Sequence, residues 1–512
     1  MGYALVFLVQ IFLTGCGTGA KEANTLVIGR GSDNVSLDPA ISSNNIDQSI
    51  FSNLYQQLMQ HQVEEGRITG VLEGELASSW KVSDNRLAWT FQIERGHHFS
   101  DGSELTASAV KYTFERTKAV NRSPSSSLAW LDYVEVSASM EVTFHLNFPF
   151  PLLLSVLAMP GTAIINPLVE LNAVDGDRGS AWLSEHSAGS GPYLVERWYR
   201  DERLVLVPNP HYKNKEVFFN RVIFEVVKDN AIGRLRLANG DLDIYEGVSF
   251  RTAKPLSKHK NVKLVLEDAG NDLHFLIFNT EHAILNDVRV RRAIALAIDY
   301  NALTEDIYSG YAKPIRGTLL PGFPGHNPDI PLPHRNLDEA RALLKAAGFP
   351  NNLKLTLSVG YTNAVVEALQ SQLAEVGIQL EIQQVYAAAL DAQRASGNFE
   401  LMLGAWLADF PDPWIIMEFM FSSRYIGAGA NASRYRNPEV DRLLAEGYVA
   451  QRMEDRARIY DSAQRLIMAD LPQAFLYTTT PMVALRTDID GFVLNRYQLG
   501  SYNLDQMSRR MQ

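Results

Sequence analysis

One stretch, Phe399-Glu-Leu-Met-Leu-Gly-Ala-Trp-Leu-Ala-Asp-Phe-Pro-Asp-Pro413, limits the folds open to this chain more than any other. It starts as a near-continuous apolar run, the pattern of a strand buried on both faces. Pro411 and Pro413 cannot sit in a central strand, so the strand must stop by about Asp409. A buried strand therefore delivers Asp409 to its carboxyl edge, with Trp406, Phe410 and Trp414 close by. In open α/β sheets that edge is where ligands bind.

The segments before this stretch place it in a parallel sheet. Leu353, Leu355, Leu357 and Val359 alternate strictly and predict a strand. Val365, Val366, Leu369, Leu373 and Val376 share one helical face, closed by Gly377. Leu380 to Val385 predicts the next strand, Ala387 to Ala395 a helix, and Phe399 to Trp406 the third strand. Strand, helix, strand, helix, strand with short links is a βαβ series with parallel strands and right-handed crossovers. Asp287 is placed to cap a helix carrying Val290, Ala293, Ile294, Ala297 and Ile298, and a helical block is expected from Glu439 to Met468. Earlier in the chain, Thr25 to Ile28 predicts a strand. Ile46, Ile50, Leu54 and Leu58 predict an amphipathic helix, and Trp89, Phe91 and Ile93 a half-buried strand. Thr106 can cap a helix carrying Val110 and Phe114.

The chain has 512 residues, too many for one core, so two or more domains are expected. Its net charge of −11 and the absence of any Lys/Arg-rich run argue against a nucleic-acid partner. The single cysteine, Cys16, excludes an intramolecular disulfide and a cysteine-based metal site. Ala4 to Leu13 is apolar but for Gln10, too short to span a bilayer and of the length of a signal-peptide core. It runs into Leu13-Thr-Gly-Cys16, which resembles a bacterial lipobox, in which the cysteine is lipidated and becomes the new N-terminus. The alternative is a plain secretory signal with an incidental cysteine. Residues 17–24 read as a linker.

Chemistry-bearing motifs are few. The pair Gly29/Gly31 lacks the third glycine of a dinucleotide fingerprint, and no HExxH, P-loop or GxSxG occurs. Asp409 and Asp412 could be an acid/base pair, but no partner acid presents itself; Asp412, between two prolines, reads as a turn residue. Adjacent His97 and His98 would point to opposite faces of a strand and chelate one ion poorly, so they read as surface loop residues. Arg289, Arg291 and Arg292 read as a solvated helix face.

A series of blocks in order gives a resemblance over nearly all of the chain after the signal. Leu37-Asp-Pro39 comes first. Leu76-Ala-Ser-Ser-Trp80, Trp89-Thr-Phe91, Phe99-Ser-Asp-Gly-Ser-Glu-Leu-Thr106 and Val110 to Arg116 follow. Gly189 to Tyr193 and Asn209-Pro-His-Tyr212 come next, then Gly240 to Ile244, Phe278-Asn-Thr280, Asp287 to Ala293 and Ala297-Ile-Asp299. Trp406-Leu-Ala-Asp-Phe-Pro-Asp-Pro413 closes the set. Together they resemble the family 5 extracellular solute-binding proteins, the dipeptide-, oligopeptide- and nickel-binding components of bacterial ABC importers.

The resemblance implies an α/β, two-lobed periplasmic-binding-protein (Venus flytrap) fold with a two-strand hinge that closes on ligand. It implies a discontinuous first lobe at 24–48, 186–268 and 484–512, an inserted subdomain at 49–185 and a second lobe at 269–483. It also implies a monomer that is not an enzyme and holds no cofactor or metal of its own. Such a protein captures short peptides outside the cytoplasmic membrane, sits there on an N-terminal lipid at Cys16, and hands its ligand to ABC permease subunits. Asp409 would hold the ligand's α-amino group, with Trp406 and Phe410 lining the cleft. Oligopeptide-binding members carry an arginine six residues before that aspartate; here the position is Leu403. A nickel chelate or another small solute is the alternative ligand class, and a tethered cell-wall hydrolase the alternative of a different kind.

Overall fold

A computed structural model describes residues 24–510, except 43, 65, 123–124, 126–127, 215, 268–269, 409, 428–429, 451, 496 and 498–500. Cys16 and Asp409 therefore lie outside the described residues.

Two large sheets carry the molecule. The first has seven strands in the order Val262–Leu266, Met482–Arg486, Ile244–Tyr245, Thr25–Arg30, Arg221–Val226, Arg203–Pro208, Tyr193–Tyr199. The second has six, in the order Ala312–Pro314, Gln473–Thr479, Asp272–Phe278, Leu401–Leu407, Leu353–Val359, Ile378–Gln384. The chain passes between them twice: after Leu266 on the way out and after Thr479 on the way back. A four-stranded antiparallel sheet built from Ala77–Val82, Ala88–Ile93, Glu141–Leu146 and Leu131–Ala138 stands apart, backed by helix Ala107–Val120.

The alternation read in Leu353 to Val359 is real: the odd-numbered residues are buried, against helix Ala364–Ala374. Strand 353–359 pairs parallel with 378–384 from Leu353↔Ile378 to Val359↔Gln384, and parallel with 401–407 at Leu357↔Leu401 and Ser358↔Met402. The predicted βαβ series is thus present, with strand 353–359 between the other two. The expected helical block is two helices, Pro438–Val449 and Met453–Asp470. Asn437 caps the first, accepting from the amides of Glu439 and Val440.

Four readings need correction. Strand 401–407 is buried at Leu401 and Met402 but becomes half-exposed toward Leu407, with Ala405 open to solvent. His97 is buried, with its ring nitrogens 3.1 Å from Gln56 Oε1 and 3.3 Å from Glu94 Oε2, so it belongs to the interior and not to a surface loop. Arg291 is buried as well. Its guanidinium donates to the carbonyls of Leu285 at 2.7 Å, Asn286 at 3.0 Å and Leu471 at 2.9 Å, tying helix Val288–Ala297 to the end of helix 453–470. A buried charge persists where its donors are all met by acceptors, which sequence spacing cannot reveal. Asp412 is the fourth case.

Candidate functional site

The turn after strand 401–407 is held from both sides. Leu407 pairs with Asp272 across the antiparallel neighbour, and Leu273 with Trp406. Gly404 allows this close approach, since a Cβ there would stand 2.4 Å from the Phe275 ring. Beyond the strand, the Ala408 amide donates to the Asn271 carbonyl and Asn271 Nδ2 donates back to Ala408 O, both at 2.9 Å. On the far side, Asp412 Oδ1 accepts the amide of Trp414, the first residue of helix Trp414–Phe421, at 2.9 Å. Arg456 Nη2 donates to both Asp412 oxygens, at 2.6 and 2.8 Å, from helix 453–470. Asp412 is therefore more than a turn residue: it is one half of a buried ion pair. Burial pushes its carboxyl above the usual aspartate range, and Arg456 offsets part of that.

Trp406 is half-buried and stacks on Phe419 at 6.1 Å, while its indole Nε1–H has no hydrogen-bond partner among the described residues. Phe410 is buried and packs into the core of the four-stranded sheet, not into the core beneath its own strand. Trp414 touches both cores. Leu403 packs against the core beneath strand 353–359. Of the arginines nearest the turn, Arg456 is taken by Asp412 and Arg424 pairs with Glu418 at 2.5 Å.

The same sheet edge carries a second acid. Asp272 accepts from Thr478 Oγ1 at 2.8 Å, Thr479 N at 2.9 Å, Thr479 Oγ1 at 2.6 Å and His274 Nε2 at 2.8 Å. Burial opposes its ionisation, but the bonds from His274 and Thr479 outweigh that and hold the carboxyl below the usual aspartate range. This acid fastens the two segments where the chain crosses between the large sheets. Beside it, the hydroxyls of Tyr308 and Tyr477 stand 2.7 Å apart. Tyr361 and Tyr386, each two residues past a strand end, are exposed at the same edge. An edge of this kind offers phenol hydroxyls, aromatic faces and one strand-end turn, the makings of a binding surface for a small polar ligand.

Sequence reasoning missed a third feature. Strands Met59–Glu64 and Arg67–Gly74 form a hairpin that approaches the turn, with Gly70 facing Pro411. At its base is a polar cavity of about 100 Å³ lined by His61, Glu75, Tyr212 and Asp505, among others. Glu75 Oε2 accepts the Gln57 amide at 2.6 Å, yet burial pushes its carboxyl up to about 8, while burial pulls His61 down to about 4. The two act in opposite senses on stability. Glu75, raised in the folded state, costs stability as pH rises from its ordinary 4.5 to about 8. His61, lowered, costs stability as pH falls from 6.5 to about 4. Between pH 6.5 and 8 Glu75 acts and His61 does not, so the melting temperature should fall across that window, and Glu75→Gln should lessen the fall. A wild-type melt that does not change from pH 6.5 to 8 would refute this.

A family model described as bacterial extracellular solute-binding proteins, family 5 middle, matches residues 71–428. The chain is 33% identical over 496 residues to the probable D,D-dipeptide-binding periplasmic protein DdpA of Escherichia coli K12, covering 96% of this chain and 95% of that one. It is 25% identical over 509 residues to the glutathione-binding protein GsiB of the same strain, again covering 96% and 95%. Among solved structures, the periplasmic binding protein DppA of Helicobacter pylori, in complex with the peptide STSA, superposes with a TM-score of 0.82 at 23% identity. That match covers 95% of this chain and 98% of the other. A dipeptide-binding protein from Pseudoalteromonas sp. SM9913, in complex with Met-Leu, gives a TM-score of 0.82 at 21% identity, covering 95% and 100%.

Proposed function

The chain belongs to the bacterial extracellular solute-binding proteins of family 5, and from that premise we propose that it binds short peptides for an ABC importer. The observation that carries the reading is the turn at Ala408 and Phe410–Trp414, held at a strand's carboxyl edge beside Asn271 and Asp272, where the chain crosses between the two large sheets. Proteins that match nearly the whole chain point the same way: one is a probable D,D-dipeptide-binding protein, and one was solved in complex with Met-Leu. In this reading the first lobe comprises 24–48, 186–268 and 484–512, the inserted subdomain 49–185 and the second lobe 269–483. The peptide lies between the lobes, and hinge motion at the crossings buries it. Asp409 takes the α-ammonium, Trp406 and Phe410 shape the pocket, and a permease receives the peptide from the closed form. The protein acts as a monomer and catalyses nothing.

The reading is tested by native mass spectrometry of whatever co-purifies with the full chain, followed by denaturation and sequencing of the released species. A mixture of short peptides is expected. A single metal complex, or a ligand without a peptide bond, would overturn the assignment.

Cys16 is the proposed lipid attachment site. Cys16→Ser should move the protein from the membrane to the soluble fraction on cell fractionation. Unchanged membrane association would remove the lipobox reading. A single acyl chain holds a protein only marginally, so the full modification is required for stable anchoring.

A further inference from the structure

A cavity of about 470 Å³ lies between residues 129–159 and 410–448. One wall comes from the part of the chain that carries the four-stranded sheet, the other from the helices after the 408–414 turn. Eight of its thirteen lining residues are aromatic. Trp130 stacks on Phe150 at 5.5 Å and 6°, Phe150 meets Trp414 edge-on at 6.1 Å, and Trp414 lies 5.7 Å from Tyr448. Phe419 and Tyr425 close the far side at 4.8 Å from one another. The indole N–H of Trp130, a residue 2% exposed, has no hydrogen-bond partner among the described residues. The one charged group at the wall, Arg424, pairs with Glu418.

Apolar surface left facing a cavity forgoes packing contacts. About 150 Å³ of apolar space is enough to take up benzene, so the aromatic part of this cavity has room for a ring. Phe410 and Trp414, which flank the Pro411–Pro413 segment, both line the cavity, so it begins where the candidate ligand turn ends.

We propose that this cavity is a side-chain subsite for a bulky apolar group, of aromatic size, on the bound peptide. This rests on the peptide reading above and narrows it: the chain discriminates ligands by apolar bulk. Because the two walls belong to different parts of the chain, a ring inserted there also joins them. Small peptides that leave the cavity unfilled forgo that contact.

Calorimetric titration of the full chain with Ala-Phe and Ala-Ala tests this. Burying one aromatic side chain predicts that Ala-Phe binds roughly ten- to a hundredfold more tightly. Val156→Trp, which fills the cavity, should bring the two affinities within about threefold of each other. A thermal melt shows whether that variant folds, and Ala129→Phe at the mouth serves if it does not. Saturation-transfer NMR with p-cresol probes the cavity without a peptide: transfer is expected in the wild type and loss of transfer in the filled variant. Equal dipeptide affinities with no p-cresol transfer would overturn the subsite and leave the peptide reading standing. Transfer that the filling variant abolishes, with neither dipeptide bound, would keep the cavity as a site for aromatic groups and overturn its assignment to the side chain of such a dipeptide.

Discussion

Arg116→Met should lower the free energy of unfolding by roughly 3–5 kcal/mol, among the largest effects of any single substitution in this chain. Arg116 is the last residue of the 110–116 block, and its side chain is wholly buried. Its Nη1 and Nη2 donate to the two oxygens of Asp38 at 2.9 and 2.7 Å, a forked pair with parallel bonds. Nε donates to the Arg178 carbonyl at 2.8 Å and Nη2 also to Ser180 Oγ at 2.9 Å. The Asp38 carboxylate has no exposed side-chain surface, so removing the arginine strands a charge with no route to water. Arg116→Lys should recover only part of the loss, because an ammonium cannot reproduce the fork or reach the Arg178 carbonyl at the same time. Denaturant titration of the three proteins checks the order. A methionine variant within about 1 kcal/mol of wild type would show the pair to be dispensable, as some buried pairs are when apolar groups replace both partners.

On the proposed role of Asp409 as the holder of the ligand's α-ammonium, Asp409→Asn should weaken binding of a free-amine peptide by on the order of a hundredfold or more, the usual cost of removing one partner from a buried charged pair. The residues on either side are interior. Ala408 is fully buried and locked to Asn271 by two hydrogen bonds, and Phe410 is buried too. In the proposed reading the Asp409 carboxylate meets a cation from the ligand, since two arginines of the neighbouring helices are committed: Arg456 to Asp412 and Arg424 to Glu418. A peptide α-ammonium supplies the charge and three donors. The wild type should accordingly reject the N-acetylated form of any peptide it binds. Calorimetric titration beside a thermal melt separates this from a structural role. An Asp409→Asn protein that keeps its affinity but melts early would assign Asp409 to the turn alone.

How much could be read in advance differs by kind of interaction. Strand 353–359 was legible because each residue reports its face through a period of two, and helix 364–374 because its apolar stripe repeats over three turns. Thr106 was legible as the residue before a helix, although its hydroxyl makes no capping bond. The partners of charged groups were not legible. Arg116 and Asp38 are 78 residues apart, Arg456 and Asp412 44, and Arg291 meets carbonyls of residues as distant as Leu471. An arginine on its own predicts exposure, and only a long-range contact reverses that. The aromatic cavity was hidden for the same reason: Trp130 and Trp414 come from segments that nothing in the local pattern connects. Phe410 was expected to line a cleft, and its ring also completes the core of the four-stranded sheet, because the turn leans toward it.

The seven-stranded sheet has a consequence for the order of synthesis. Its last-made long strand, Met482–Arg486, is not an edge. It fits between Val262–Leu266 and Ile244–Tyr245, and Arg509 beyond it donates to the Thr25 carbonyl, 484 positions away. Until about residue 486 has emerged from the ribosome, strand 262–266 has no partner in its own sheet and strand 244–245 is open on one side. The nascent chain thus carries unpaired strand edges for most of its length, the surfaces on which chains aggregate. A long-range closure of this kind is slow. It keeps the first sheet unfinished until strand Met482–Arg486 has been made.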